Sequence, residues 1–134
     1  MATVNYSDDD APAIQVIYVE DSNLHAALLK AGLASSNIEV MHLSKSDESL
    51  IEELSRSRYD AAKVIILDLH MGELSGLQVA RRLRAAGDSR PIVLISGAER
   101  PSNSELMAIQ AMFIPKPFDF DRISDAIKKL AARP

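Results

Sequence analysis

The residues best suited to chemistry in this sequence come directly after its short apolar runs. Glu20 and Asp21 follow the first run, Asp68 follows the third, Ser96 the fourth and Lys116 the fifth. Three carboxylates that meet without a cation would repel one another and raise one another's pKa values. Oxygen ligands of this kind favour Mg²⁺, which keeps several waters and prefers a phosphate as a further ligand. If these residues meet, they predict a site for Mg²⁺ and a phosphoryl group.

The same groups predict phosphoryl transfer. A carboxylate can attack phosphorus and form an aspartyl phosphate. A metal ion, a lysine and a hydroxyl would then stabilise the charge on the equatorial oxygens. Asp68 is the predicted nucleophile because it is the central carboxylate, and the small Gly97 would leave the approach to it open.

These residues can meet only if the apolar runs before them are neighbouring parallel strands. The predicted strands cover residues 13–19, 38–43, 63–67, 91–95 and 112–114. Stretches with apolar residues at helical spacing alternate with them, which predicts five helices. Such alternation predicts an α/β fold with a doubly wound parallel sheet covered by helices on both faces. Ligands of such sheets bind at the carboxyl ends of the strands, where the candidate residues lie.

Local signals predict the edges of the sheet and several helix ends. The polar His42 in the second run and Pro115 after the fifth predict that these two strands lie at the edges. Ser75 is the predicted N-cap of the third helix. Ser102 and Glu105 fit a capping box that starts a short fourth helix. The apolar side of the predicted second helix consists of Leu50, Ile51, Leu54 and Tyr59.

Length and composition predict one acidic globular domain. The 134 residues carry a net charge of −4, with 47% apolar and 25% charged residues, so we expect a tail over 1–12 and a domain over 13–132. The absence of cysteine excludes disulfides, thiolate nucleophiles and Cys-ligated metals. The acidic balance disfavours direct nucleic-acid binding and anionic membranes. Without a long apolar run or an apolar signal core, the expected location is cytoplasmic.

The chain resembles a receiver domain of a two-component response regulator, in the chemotaxis-protein-like class, over residues 13–132. The matching pieces are VIYVEDS at 16–22, VIILDLHMGELSG at 64–76, PIVLISG at 91–97 and FIPKPF at 113–118. The resemblance implies a flavodoxin-like fold with five strands in the order 2-1-3-4-5. This order agrees with the two edge strands predicted above.

The resemblance also implies a phosphorylation switch rather than an enzyme, one that assists only its own phosphorylation and dephosphorylation. Asp68 would take a phosphoryl group from a phosphohistidine on a sensor histidine kinase or a histidine phosphotransfer protein. Mg²⁺ would be the cofactor. Its implied ligands are Glu20, Asp21, Asp68 and the backbone carbonyl of His70.

Further roles follow from the same resemblance. Ser96 would be the switch hydroxyl that turns toward the phosphate, Lys116 the cation of the site and Phe113 the aromatic switch. Phosphorylation would change the face made by helix four, strand five and helix five, where an unknown downstream protein would bind. The family often has a cis peptide bond at the position of Lys116–Pro117.

Three departures from the family pattern carry expectations of their own. Gly72 stands where the family usually has proline, so the loop that presents the His70 carbonyl is expected to be looser. Pro115 is expected to stiffen the end of the fifth strand. The missing glycine before that strand, in the segment 108–113, predicts a short or irregular fourth helix.

Other functions stay open at this stage. A degenerate receiver would bind partners without phosphorylation. An aspartate-nucleophile phosphatase of the haloacid-dehalogenase type needs a second aspartate where this chain has His70. A flavodoxin-like flavin binder needs a phosphate loop where this chain has EDSN at 20–23. The sequence also leaves open the cognate kinase, homodimer formation, and whether the chain stands alone or begins a longer protein.

Overall fold

The computed structural model describes residues 12–133, so the predicted tail lies outside the described residues except for Pro12. Five parallel strands alternate with five α-helices. The strands are β1 (Ile14–Val19), β2 (Ile38–Leu43), β3 (Val64–Asp68), β4 (Ile92–Ser96) and β5 (Ala111–Pro115). The helices are α1 (Asn23–Ala34), α2 (Ser49–Leu54), α3 (Gly76–Ala85), α4 (Asn103–Ile109) and α5 (Phe120–Ala131). The sheet order β2-β1-β3-β4-β5 confirms the predicted topology and both predicted edges.

The sheet separates two apolar clusters because successive side chains of a strand point to opposite faces. Ile17 and Val19 of β1 join the cluster that lies under α2, α3 and α4. Val16 and Tyr18 join the cluster under α1 and α5. All residues of β3 and β4 are buried, as expected for central strands that are covered on both faces.

The two central strands begin and end one residue later than predicted, which places Asp68 and Ser96 within them. Asp68 is the last residue of β3 and pairs in register with Ile95. Ser96 is the last residue of β4 and pairs with Pro115. Both side chains are therefore placed by strand pairing rather than by a separate loop.

Helix starts follow the predicted caps. Ser75 forms a capping box with Gln78 at the start of α3, and Ser102 forms one with Glu105 at the start of α4. Helix α4 has only seven residues, which confirms the prediction of a short fourth helix. Its C-cap is Gln110, a non-glycine residue in the left-handed conformation with φ of 52°.

The prediction for the second helix is wrong at its carboxyl end. Helix α2 ends at Leu54, and Tyr59 lies in a separate 3-10 turn over Ser57–Tyr59. The Ser55 hydroxyl donates to the Glu52 carbonyl at 2.6 Å, a bond that competes with continuation of the helix. Arg56 then adopts an extended conformation with ψ of 149°, which breaks the helix before Tyr59.

Candidate functional site

Three of the predicted residues meet at the carboxyl ends of β1, β3 and β5. Lys116 Nζ lies 2.5 Å from Asp68 Oδ2 and 3.9 Å from Glu20 Oε2. The backbone N–H of His70 donates to Asp68 Oδ1 at 2.9 Å. Glu20 is only 2% exposed and Asp68 only 6%, so these charges interact with little screening by water.

The pKa values of the two buried carboxyl groups are shifted in opposite directions. Burial raises the pKa of Glu20 above its ordinary value, and a hydrogen bond to Asp68 raises it further. Burial also disfavours the charged form of Asp68, but hydrogen bonds from Lys116, Glu20 and the His70 N–H outweigh it and lower the pKa of Asp68. The lowered pKa favours the ionised form of Asp68, which a nucleophile on phosphorus requires.

Ser96 is buried at the end of β4, the strand that pairs with the strand of Asp68. Its hydroxyl oxygen accepts the backbone N–H groups of Ala98 at 3.1 Å and Glu99 at 3.2 Å. These bonds fix the hydroxyl oxygen on the turn that follows β4. Because that oxygen is the acceptor in both, the Ser96 proton is the part of the group that can be donated to another oxygen.

Two predicted metal ligands lie at the exposed side of the site. Asp21 is exposed, next in sequence to the buried Glu20. His70 is exposed and contributes its N–H to Asp68. Within residues 12–133, no group of three or more acidic or histidine side chains is arranged to hold a metal. The oxygen donors nevertheless suit Mg²⁺, which binds through one or two carboxylates and keeps several waters.

The predicted aromatic switch lies on β5. Phe113 is half-buried and packs against the cluster under α2, α3 and α4. The Arg100 guanidinium lies over the Phe113 ring, 5.7 Å from its centroid, in a cation–π contact. The Lys116–Pro117 peptide bond that follows β5 is cis, as the resemblance implied.

Gly72 makes a close contact that the sequence did not predict. Its φ is +40°, and an added Cβ would meet the Ser46 carbonyl oxygen at 2.9 Å. That carbonyl accepts the N–H groups of Glu73 and Leu74, each at 3.0 Å, and the Ser46 hydroxyl donates to the Leu74 carbonyl at 2.7 Å. The glycine thus permits the loop after β3 to bind the loop after β2, where a loosening effect was expected.

Three residues at the site were missed by sequence reasoning, and all three contact Glu20. Tyr18 donates its hydroxyl to Glu20 Oε2 at 3.1 Å, and His25 Nδ1 lies 3.6 Å from Glu20 Oε1. His42 Nε2 lies 2.6 Å from the Glu20 carbonyl oxygen. The only available signal was the position of Tyr18, a polar tip within an otherwise apolar strand.

Residues 16–128 match the response regulator receiver domain. The chain therefore belongs to the response regulator receiver domain family, whose members act in two-component signalling.

Curated relatives are longer than this chain. The response regulator MprA of Mycobacterium leprae (strain TN) is 29% identical over 122 residues, which cover 90% of this chain and 52% of that protein. The MprA protein of Mycobacterium ulcerans (strain Agy99) is 28% identical over 123 residues, which cover 90% of this chain and 51% of that protein. The chain thus spans about half the length of these relatives.

Solved structures share the fold. The Francisella response regulator 1452 receiver domain superposes with a TM-score of 0.75 at 20% identity, covering 88% of this chain and 96% of that one. The chemotaxis protein CheY4 of Vibrio cholerae gives a TM-score of 0.73 at 20% identity, covering 88% and 98%. Among residues 12–133, no helix has the length and apolar character needed to cross a bilayer.

Proposed function

We propose that this chain is a phosphoacceptor receiver in which Asp68 takes a phosphoryl group from a phosphohistidine. The observation that carries the proposal is the pairing of Asp68 with the Lys116 ammonium at 2.5 Å, beside Glu20 at the carboxyl ends of the strands. Membership of the receiver family supports the same role.

The transfer exchanges one bond to phosphorus for another and needs only a proton from water. An Asp68 carboxylate oxygen forms a bond to phosphorus while the bond from phosphorus to the donor imidazole nitrogen breaks. That nitrogen keeps the electron pair and takes up a proton. Lys116 and the Ser96 hydroxyl would stabilise the charge on the equatorial phosphoryl oxygens, because both groups can donate hydrogen bonds to anionic oxygen.

The proposed cofactor is Mg²⁺, held by Glu20, Asp21, Asp68 and the backbone carbonyl of His70. When bound, this cation neutralises charge on the phosphoryl oxygens and orients them for in-line transfer. The carboxylates support this assignment because two of them are buried close together, an arrangement that favours a cation. Asp21 adds a charged oxygen at the exposed rim of the same site.

A groove beside Lys116 suits the approach of the phosphodonor. It has a volume of about 430 Å³ and lies between α1 and the segment that joins β5 to α5. Leu28 and Phe120 line it and are 54% and 41% exposed, and Leu24 nearby on α1 is 67% exposed. Exposed apolar side chains that border a reactive site favour docking of a sensor histidine kinase or a histidine phosphotransfer protein.

The proposed output is a change in the face made by α4, β5 and α5. Phosphorylation would draw the Ser96 hydroxyl toward the phosphoryl group and so move the turn that it holds before α4. Arg100 follows that turn and packs on Phe113 of β5, so their contact would change with it. A downstream protein would bind one of the two states more tightly.

The test is intact-mass analysis after incubation with a small acyl-phosphate donor, with and without Mg²⁺. We expect the wild type to gain one phosphoryl group only with Mg²⁺. Asp68→Asn should gain none, whereas the control Asp125→Asn, an exposed position on α5, should behave as the wild type.

Two results would contradict the proposal. Stable phosphoryl incorporation in Asp68→Asn would show that another residue is the acceptor. Failure of the wild type to accept a phosphoryl group from both the small donor and a phosphorylated histidine phosphotransfer protein would favour a degenerate receiver that binds partners without phosphorylation.

A further inference from the structure

Tyr18 and His42 form a cross-strand pair beside the candidate site. They are register partners on β1 and β2, and their ring centroids lie 6.5 Å apart. Tyr18 is 2% exposed and packs in the cluster under α1 and α5. A phenylalanine would serve that packing equally well, so the buried hydroxyl of Tyr18 must be explained by its hydrogen-bond partner.

That partner is Glu20, which is held at both its side chain and its backbone. The Tyr18 hydroxyl donates to Oε2 and the Ser22 N–H donates to Oε1, each at 3.1 Å. His42 Nε2 lies 2.6 Å from the Glu20 carbonyl, and it carries the proton because a carbonyl oxygen only accepts. The Glu20 N–H donates to the Leu43 carbonyl at 3.0 Å.

These bonds decide where the Glu20 carboxylate points. The side chain is almost fully buried, so its ionised form depends on donors supplied by the protein. A tyrosine hydroxyl carries its proton at neutral pH, so Tyr18 is a donor to Glu20 Oε2. The same Oε2 atom lies 3.9 Å from Lys116 Nζ, which links Tyr18 through Glu20 to the cation that contacts Asp68.

We propose that Tyr18 is a positioning residue for the Mg²⁺ site, because its hydroxyl fixes the Glu20 carboxylate in the orientation that serves the cation. His42 supports it by holding the Glu20 backbone. Partners of this kind orient metal ligands, and their loss weakens metal binding. The inference rests on the proposed function, since it takes Glu20 as part of the Mg²⁺ site.

The chain supplies a matched control for the test. The Tyr59 hydroxyl donates to Glu53 Oε1, also at 3.1 Å, in the turn before the amino end of β3. Tyr18→Phe and Tyr59→Phe therefore remove the same bond to a glutamate at opposite ends of the sheet. Isothermal titration with Mg²⁺, without a phosphodonor, should show a dissociation constant about tenfold higher for Tyr18→Phe and unchanged for Tyr59→Phe.

A kinetic measurement separates positioning from general damage. With an acyl-phosphate donor, the Mg²⁺ concentration at half-maximal rate should rise in Tyr18→Phe by the same factor as the dissociation constant. The rate at saturating Mg²⁺ should stay at the wild-type value, because Tyr18 acts only through Glu20. A fall in the saturating rate with unchanged Mg²⁺ binding would overturn the inference.

The remaining outcomes distinguish this inference from the proposed function. Equal Mg²⁺ affinity in Tyr18→Phe and Tyr59→Phe, with normal phosphorylation of the wild type, overturns the positioning role alone. Weaker Mg²⁺ binding in Tyr18→Phe without phosphorylation of the wild type supports the positioning role and contradicts phosphoryl transfer. A wild type that binds no Mg²⁺ overturns the positioning role.

A second pair of variants applies if Tyr18→Phe does not fold. His42→Leu removes the donor to the Glu20 carbonyl, and His42→Gln supplies another at the same position. We expect His42→Leu to weaken Mg²⁺ binding and His42→Gln to restore part of it. Equal affinity in the two variants and the wild type would overturn the inference.

Discussion

The charge on Asp68 depends mainly on one neighbour. Its side chain is 8% exposed and that of Lys116 is 26% exposed, so the ion pair between them is only partly screened. Lys116 also lies within 3.9 Å of Glu20, and it is therefore shared by two carboxyl groups that would otherwise repel each other. A cation in the site would compete with this ammonium for Asp68 Oδ2.

Lys116→Ala should separate metal binding from phosphoryl transfer. We expect Mg²⁺ affinity to be retained or increased, because the competing ammonium is gone. Phosphorylation at saturating Mg²⁺ should slow by about 100-fold, the usual cost of losing a group that stabilises developing negative charge. Titration calorimetry and intact-mass kinetics would measure the two effects.

Lys63→Ala is the matched control for this prediction. Lys63 is exposed and precedes β3 at the other end of the sheet, so its loss should change neither quantity. An undiminished transfer rate in Lys116→Ala would remove the role assigned to the ammonium.

At the scale of elements, the end of α4 shows how a short helix is stopped without glycine. Gln110 takes the left-handed conformation and donates its N–H to the last turn of the helix. Arg84 of α3 donates Nε to the Ile109 carbonyl at 2.7 Å and Nη2 to the Gln110 carbonyl at 3.3 Å. These bonds satisfy carbonyl groups at the helix end, which is the role that the backbone bonds of a glycine C-cap usually fill.

Gln110→Gly should therefore stabilise the protein. A left-handed residue with a Cβ costs about 1–2 kcal/mol, and the added freedom of glycine in the unfolded chain offsets part of that gain. We expect the free energy of unfolding to rise by about 0.5–1 kcal/mol and the unfolding midpoint by about 2–5 °C. Gln110→Ala should give no gain, and Ala108→Gly within α4 should cost about 1 kcal/mol. A Gln110→Gly protein no more stable than the wild type would contradict this account.

Local patterns predict those elements whose cause is local. The caps at Ser75 and Ser102 were predicted because a capping box is complete within four residues of sequence. The end of α2 was not predicted. The apolar spacing up to Tyr59 in the sequence is the same whether or not the chain leaves the helix at Arg56. Apolar spacing indicates which residues are buried, but it does not indicate whether the helix breaks between them.

At the scale of the whole molecule, the topology predicts which residues form the site. It does not predict the residues that hold them in position. Asp68 and Lys116 are 48 residues apart and meet because their strands end at the same edge of one parallel sheet, which the alternation of elements predicts. The bond between Tyr18 and Glu20 and the contact between Ser46 and Gly72 depend on side-chain directions and loop paths. No spacing rule encodes these, so the groups that orient the site appear only in the folded structure.

A site assembled in this way should bind Mg²⁺ only in the folded protein, so Mg²⁺ should stabilise the fold. At a free concentration 100 times the dissociation constant, the free energy of unfolding should rise by about 2.7 kcal/mol through mass action. Thermal or urea unfolding would measure the rise, and a chelator should reverse it. Asp21→Asn changes an exposed residue and should reduce the rise, whereas Asp125→Asn should not. If KCl of equal ionic strength stabilised the protein as much as MgCl₂, the effect would be screening of its acidic charge rather than binding at the site, and the proposed Mg²⁺ ligands would lose their support.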